Sequence, residues 1–242
     1  MNRLQTLTLG CSKNKVDTEH ILSQVEHLYE IVPEGEDIPV DVLLVNTCGF
    51  IGDAKEESVQ AILEAVEKKK RGEIGRIVVF GCLSQRYASE LPELIPEVDA
   101  WFGARELSPV VEALGGAAST EFITSRHLTT PSHYAYLKIS EGCDRRCSYC
   151  AIPFIRGAHK SVPIEKLVQE AETLLRFLQL LHGIQIDRSD TAQISAECLQ
   201  SGFTAQRLRI GFAGLFKLHI HGSLLHQQPI MLDNVTATPS EK

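Results

Sequence analysis

A chain of 242 residues with 43% hydrophobic and 23% charged residues has the composition of one large or two ordinary soluble globular domains. Its net charge of −7 and the lack of a long basic run argue against a protein that binds nucleic acid through its own positive electrostatic field. No apolar run reaches the roughly 18–20 residues of a membrane span, and the N-terminus lacks the apolar stretch of a signal peptide. We therefore expect a cytoplasmic protein, in which seven cysteines indicate metal ligands or catalytic groups rather than disulfides.

Three segments in the first third of the chain repeat one pattern. Residues 4–11, 40–48 and 76–82 are short β-branched and aliphatic runs that each end in cysteine, and each is followed by a helical segment. Alternation of strands and helices predicts an α/β fold with a doubly wound parallel sheet.

The clearest helix is predicted from Asp53 to Lys70. Asp53 has the character of an N-cap, with Glu56 three residues on in a capping-box arrangement. An apolar face follows at helical spacing; it comprises Val59, Ile62, Leu63 and Val66.

The next segments predict the end of one domain and the start of another. We expect a strand at 98–102, a helix near 106–114 and then a linker rich in Gly, Ser and Thr. A first domain over 1–130 and a second beginning at 133 follow from this division. In the second, residues 133–140 read as a strand and "SVPIEKLVQEAETLL" reads as a helix.

Cys11, Cys48 and Cys82, called here the strand-end triad, each close a predicted strand. Ligands of doubly wound sheets bind beyond the carboxyl ends of the strands, so we expect these thiols to meet in one site. The alternative is three unrelated buried cysteines, since cysteine is common in protein cores.

Cys143, Cys147 and Cys150, called here the loop triad, form a C-x3-C-x2-C run. A four-iron cluster takes one ligand per iron, so three thiolates leave one iron free to bind a small molecule. Zinc sites prefer four donors in paired arms, and ferredoxin runs supply a fourth cysteine. Neither alternative fits the run well.

Four ordered motifs resemble the radical S-adenosylmethionine methylthiotransferases, and among these the ribosomal-protein aspartate branch. The similarity covers about residues 4–174. The motifs are "LGCSKNKVDTE" (9–19), "NTCGFIGDAKEES" (46–58), "GCLSQRY" (81–87) and "KISEGCDRRCSYCAIPFIRG" (138–157). The resemblance implies that residues 133–174 begin a radical-enzyme partial (β/α) barrel, which is incomplete in this chain.

The resemblance also implies a mechanism with two [4Fe-4S] clusters. The loop triad would hold the cluster that binds S-adenosylmethionine and cleaves it to a 5′-deoxyadenosyl radical. The strand-end triad would hold an auxiliary cluster that carries the sulfur. A methylthio group would then be inserted at the β-carbon of an aspartate in a small-subunit ribosomal protein, with a flavodoxin or ferredoxin as electron donor.

Two other functions remain open. One is the branch of the family that modifies adenosine in tRNA, whose motifs usually differ after the first and second cysteines. The other is a non-catalytic iron–sulfur protein that keeps the clusters without a complete barrel.

Other polar residues of the motifs are interpreted as structural. Arg145 and Arg146 lie between ligands of the loop triad, where positive charge could favour a reduced cluster, but a solvated loop is the simpler interpretation. Asn14 and Asp17 are expected in a turn or cap behind Cys11, and Arg156 with Gly157 in a loop that faces substrate. None is expected to be catalytic.

Residues 175–242 depart from the family pattern, and we interpret them as an atypical tail translated out of frame. A genuine divergent C-terminus is the alternative. Its "HIHG" segment (219–222), His226 and Cys198 are interpreted as incidental rather than as a metal site, since isolated pairs of such residues seldom bind metal.

Overall fold

The computed structural model describes residues 1–119, 125–131 and 134–176, and the backbone alone of 177–182, 209–211, 216–219 and 230–234. It divides into two compact units, Met1–Phe122 with Glu141–Lys160 and Ile123–Ser140 with Ser161–Lys242. Within these described ranges, none of the helices has the length and apolar character needed to cross a membrane.

In chain order the first unit begins with alternating strands and helices. They are β1 (Asn2–Thr8), α1 (Ser12–Val25), β2 (Tyr29–Val32), β3 (Val40–Thr47), α2 (Gly52–Lys70), β4 (Ile74–Gly81), α3 (Cys82–Arg86), α4 (Leu91–Leu94), β5 (Ala100–Trp101) and α5 (Leu107–Ala113). Later elements are β6 (Tyr134–Leu137), β7 (Ser140–Glu141), α6 (Ile152–Arg156), β8 (Lys160–Ser161), α7 (Ile164–His182), β9 (Arg209–Gly211), β10 (Phe216–His219) and β11 (Ile230–Asn234).

The first five strands form one parallel sheet in the order β2-β1-β3-β4-β5. The prediction of an α/β fold with a parallel sheet is therefore confirmed. The order reverses between β1 and β3, and such a switch point opens a crevice at the carboxyl ends of the two strands. The segments that carry Cys11 and Cys48 leave the sheet at this crevice.

Both faces of the sheet are buried, because alternate side chains of each strand point to opposite sides. Val42 and Leu44 of β3 pack on one side with residues of α1 and α5. Leu43 and Val45 pack on the other side with residues of α2 and α4. The sheet is thus the middle layer between helices, and this packing on both faces holds the ends of its strands in place.

Three details of the sequence interpretation needed correction. Helix α2 begins at Gly52 with Ile51 at the N-cap, so Asp53 lies in the first turn and caps nothing through its side chain. Leu63 is 44% exposed, although Ile62 and Val66 are buried as expected. The short strand β2 was not predicted.

The ion pair between Lys69 and Asp99, beside β4, offers a test of how stability depends on pH. Asp99 Oδ2 accepts hydrogen bonds from Lys69 Nζ at 2.5 Å and from the Ile77 amide at 2.7 Å. Burial by itself would raise the pKa of Asp99, but these two donors more than offset it and hold that pKa below its ordinary value. The charged form of Asp99 is therefore favoured in the folded chain.

We expect Asp99→Asn to lower the free energy of unfolding by about 1–2 kcal/mol at pH 7, since an amide replaces a charged acceptor. Because the folded-state pKa lies below the unfolded one, the carboxylate stabilises the fold above the unfolded value near 3.9. That contribution disappears as pH falls through the folded value. Urea unfolding from pH 7 to pH 3 measures it. A difference between variant and parent that stays constant down to pH 3 would contradict the assignment.

The second unit has its own small core. Leu137 of β6 packs with Leu167, Ala171 and Leu174 of α7, and β6 continues a sheet in the order β6-β11-β10-β9. The three pairings in that sheet are antiparallel. The predicted helix after Ser161 is confirmed as α7.

The predicted barrel and the interpretation of the tail remain predictions. Most of 175–242, including Cys198 and His226, lies outside the described residues. The domain division at 1–130, 133–174 and 175–242 likewise stays a prediction.

Candidate metal centre

The strand-end triad lies where three neighbouring strands end. Cys11 is the N-cap of α1, Cys48 directly follows β3 and Cys82 is the first residue of α3. Cys48 and Cys82 are buried, with 8% and 7% of their surfaces exposed, whereas Cys11 is exposed. The sheet thus brings to one edge three cysteines that are far apart in sequence.

Glycines beside the cysteines let the three turns touch. Gly10 has a φ of +89°, and a Cβ on it would lie 2.8 Å from Cys48 Sγ. A Cβ on Gly49 would lie 2.7 Å from the carbonyl oxygen of Cys82. Real Cβ contacts are not this short, so only glycine allows the backbone to approach so closely.

Asn14 connects the turn at Cys11 with the turn at Cys48. Its side chain is fully buried, and Nδ2 donates to the carbonyls of Leu9 at 2.8 Å and Thr47 at 3.1 Å. Its Oδ1 lies 3.9 Å from Cys11 Sγ and 3.8 Å from Cys82 Sγ. Asn14 thus holds the turn behind Cys11, one of the two roles expected from the sequence. The other role, a cap, was wrong, because the α1 N-cap makes no side-chain cap hydrogen bond.

Ser58 fixes the third turn and was missed in the sequence. Its hydroxyl oxygen accepts a hydrogen bond from the Cys48 amide at 3.0 Å. The one hydroxyl proton has two carbonyl acceptors within reach, Ala54 at 2.8 Å and Cys48 at 3.1 Å. It is fully buried on the inner face of α2. A lone serine at the helical spacing of Ile62 and Ala65 was the available signal.

The loop triad lies between β7 and α6. The Cys143 amide donates to the Gly157 carbonyl at 3.0 Å, and the Cys150 amide donates to the Cys147 carbonyl at 3.1 Å. Gly142 has a φ of +70°, and a Cβ there would overlap the Ala158 carbonyl. These contacts close the loop at its base. Cys147 is exposed and the other two thiols of the triad are partly exposed.

Arg156 joins the two cysteine motifs within the first unit. It ends α6 and is only 4% exposed. Nε donates to Cys82 Sγ at 3.2 Å, and Nη1 donates to Asp17 at 2.6 Å and to Glu141 at 3.1 Å. Nη2 donates to Asn14 Oδ1. The sequence interpretation of Arg156 as part of a substrate-facing loop, and of Asp17 as a cap, is therefore corrected.

The other residues weighed in the sequence have simpler placements. Arg145 and Arg146 are exposed, as expected of a solvated loop. Gly157 has a φ of +81° next to Arg105, so glycine is needed there for the turn after α6. Tyr149, beside the last cysteine of the loop triad, is 87% exposed.

Burial and neighbouring charges shift the pKa values of two thiols of the strand-end triad. Burial raises the pKa of both Cys48 and Cys82, and charge on the neighbouring thiolates raises it further, while Arg156 lowers it. Burial by itself would lower the pKa of Arg156, but Asp17, Cys82 and Glu141 hold it well above the ordinary value. The raised pKa favours the neutral thiols of Cys48 and Cys82, so their ionisation as metal ligands would depend on positive charge beyond Arg156.

The donors of both triads are cysteine thiols alone. Among the described residues, no group of three or more His, Cys, Asp or Glu side chains is arranged to hold a single metal ion. The cysteines of both triads are free of disulfides, which leaves their thiols available as ligands.

Comparison with known proteins gives a family model that matches the parallel sheet. Residues 3–103 match the model of the "Uncharacterized protein family UPF0004". This match covers β1 to β5 and contains the whole strand-end triad.

The particular relatives are ribosomal protein uS12 methylthiotransferases named RimO. That of Porphyromonas gingivalis is 51% identical over 176 residues, covering 72% of this chain and 41% of the relative. That of Christiangramia forsetii is 51% identical over 173 residues, covering 72% and 38%. The resemblance predicted from the cysteine motifs is confirmed. The chain spans about two fifths of the length of the relatives it matches.

Proposed function

We propose that this chain carries the cluster-binding part of a methylthiotransferase. By this proposal the enzyme adds a methylthio group to the β-carbon of an aspartate in a small-subunit ribosomal protein through radical S-adenosylmethionine chemistry. The observation that carries the proposal is the contact of Arg156, at the end of the loop-triad segment, with Cys82 of the strand-end triad. Two open thiol triads joined in this way suit a reaction that needs two clusters.

The residues divide between two clusters. Cys143, Cys147 and Cys150 would hold the cluster to which S-adenosylmethionine binds. Cys11, Cys48 and Cys82 would hold the auxiliary one. Each group, when bound, supplies an open iron for electron transfer to S-adenosylmethionine or for carrying sulfur.

The chain's own residues would position these groups and exclude water. Burial of Cys48 and Cys82 shields the inner side of the auxiliary site, while the exposed Cys11 leaves an outer side open to substrate. Asn14 and Ser58 fix the turns through hydrogen bonds, so the thiols are held in place before a cluster binds.

Partners follow from the same proposal. The substrate is a small-subunit ribosomal protein, in keeping with the uS12 named for the relatives. A flavodoxin or a ferredoxin would supply electrons. Under the alternative function the substrate is tRNA, and under the second alternative the chain binds clusters without catalysis.

Iron content tests the two triads. After anaerobic reconstitution we expect about eight irons per chain, four for each cluster. Replacing either triad by alanines should leave about half of the iron. Cys198→Ala is the matched control and should leave iron content unchanged. If one triple variant keeps all the iron, the triad it removes is not a ligand set.

Turnover tests the reaction. With dithionite and S-adenosylmethionine, release of 5′-deoxyadenosine together with a methylthio group on the aspartate of the ribosomal protein, found by mass spectrometry, would support the proposed reaction. Modification of tRNA instead supports the other branch. Full cluster content without cleavage of S-adenosylmethionine supports the non-catalytic alternative.

The proposal for 175–242 is tested on the gene. Resequencing across codons 165–185 and translating all three frames downstream should reveal a frame that restores strand–helix alternation. A confirmed frame without such a continuation would establish a genuine divergent C-terminus.

A further inference from the structure

A fully engaged guanidinium lies behind the strand-end triad. Arg156 donates from all three of its nitrogens, and one of these bonds, from Nε, goes to the sulfur of Cys82 at 3.2 Å. Asp17 and Glu141 accept from Nη1 at 2.6 and 3.1 Å, and Asn14 accepts from Nη2. The three oxygen acceptors fix the plane of the guanidinium, so Nε has little freedom to turn away from the sulfur.

A hydrogen bond to a ligand sulfur changes the electronic properties of the cluster that the sulfur binds. An N–H group draws negative charge from the thiolate and therefore stabilises the more negative, reduced state. The effect is strong in a buried site, because little water competes or screens. Arg156 is 4% exposed and Cys82 is 7% exposed, so both the donor and the acceptor of this hydrogen bond are shielded from solvent.

We propose that Arg156 is a positioning residue that hydrogen-bonds the Cys82 sulfur of the auxiliary cluster and raises the reduction potential of that cluster. The inference rests on the proposed assignment of the strand-end triad as cluster ligands. Asp17 and Asn14 act with it by holding the guanidinium in place. Arg156 itself belongs to the segment of the loop triad, so the potential of one site depends on a residue delivered by the other.

Potentiometric titration tests the inference in a full chain that lacks the loop triad. The changes Cys143→Ala, Cys147→Ala and Cys150→Ala leave the auxiliary cluster as the only one present. In this background we expect Arg156→Gln to make the cluster about tenfold harder to reduce, a shift of about −59 mV for a one-electron couple. Arg156→Lys keeps the charge but loses the guanidinium N–H, so a smaller negative shift is expected.

The matched control is Arg145→Gln. It removes the same charge from an exposed arginine, and we expect no shift. An Arg156→Lys variant with the parent's potential would overturn the inference, because charge alone would then account for the effect. Equal shifts for Arg145→Gln and Arg156→Gln would overturn it as well.

A second measurement needs no change at Arg156 and decides the question if its variants fail to fold. The chain lacking the loop triad is labelled with ¹⁵N-guanidino arginine, and its reduced cluster is studied by pulsed electron paramagnetic resonance. We expect a weak ¹⁵N coupling through the N–H···S bond, and its absence overturns the inference. If this chain binds no cluster at all, the assignment of the strand-end triad fails and the inference with it. A bound cluster without coupling or shift overturns the inference alone.

Discussion

Replacing Gly81 by alanine is expected to lower the free energy of unfolding by about 2–6 kcal/mol. Gly81 has a φ of +113°, and a Cβ there would lie 2.6 Å from the Thr47 carbonyl and 2.7 Å from the Thr47 amide. The strained backbone costs about 1–3 kcal/mol, and displacing neighbouring atoms adds about 1–3 kcal/mol. Urea unfolding of the reduced, metal-free chain measures the sum.

Gly72→Ala separates the two causes. Gly72 also has a positive φ, +79°, but an added Cβ would meet nothing within 4 Å. Gly72→Ala should therefore lower the free energy of unfolding only by the cost of the strained backbone, about 1–2 kcal/mol. Gly81→Ala should also reduce iron bound at the strand-end triad, since Cys82 follows directly, whereas Gly72→Ala should not. Equal losses of stability in the two variants would show that crowding at Gly81 is absent.

Breaking the buried ion pair between Arg156 and Asp17 is the second large effect. The two side chains are 4% and 2% exposed and their charged atoms lie 2.6 Å apart. Either Arg156→Met or Asp17→Leu leaves the remaining buried charge without this partner. We expect each change to cost about 3–5 kcal/mol. The double variant should cost less than the sum of the two by about 1–3 kcal/mol.

An exposed pair provides the control for this double-mutant cycle. Lys68 and Asp37 form an ion pair at 3.0 Å, but their side chains are 44% and 88% exposed. Asp37→Asn should cost less than about 1 kcal/mol, because water screens the interaction. Additive losses at Arg156 and Asp17 would mean that the pair contributes nothing beyond the packing of its two side chains.

The sheet was predictable because each of its longer strands has a recognisable local sequence pattern. The runs at 40–48 and 76–82 are mostly apolar with few polar interruptions, which is the pattern of strands buried on both faces. They form β3 and β4 almost as predicted. β2 was missed because this strand, "YEIV", has only four residues and one of them is charged. Leu63 was misplaced because an apolar residue at helical spacing is not always on the buried face.

At the candidate site, the cysteines could be predicted from the sequence, whereas the residues that contact them could not. Six cysteines could be assigned to two triads from their spacing and from the ends of strands, since parallel topology alone brings strand ends together. The partners of those cysteines could not be assigned. Ser58 reads as an ordinary helix residue, and Arg156 reads as a loop residue, until packing places each beside a particular cysteine.

The sequence by itself determined the alternation of strands and helices, the parallel sheet and the two sets of thiols, because these follow from local patterns of side chains. Only the tertiary structure decided that Arg156 faces Cys82 across 74 residues and Asp17 across 139. Such contacts depend on how α6 packs against α3, and packing is a property of surfaces that meet only after the chain has folded.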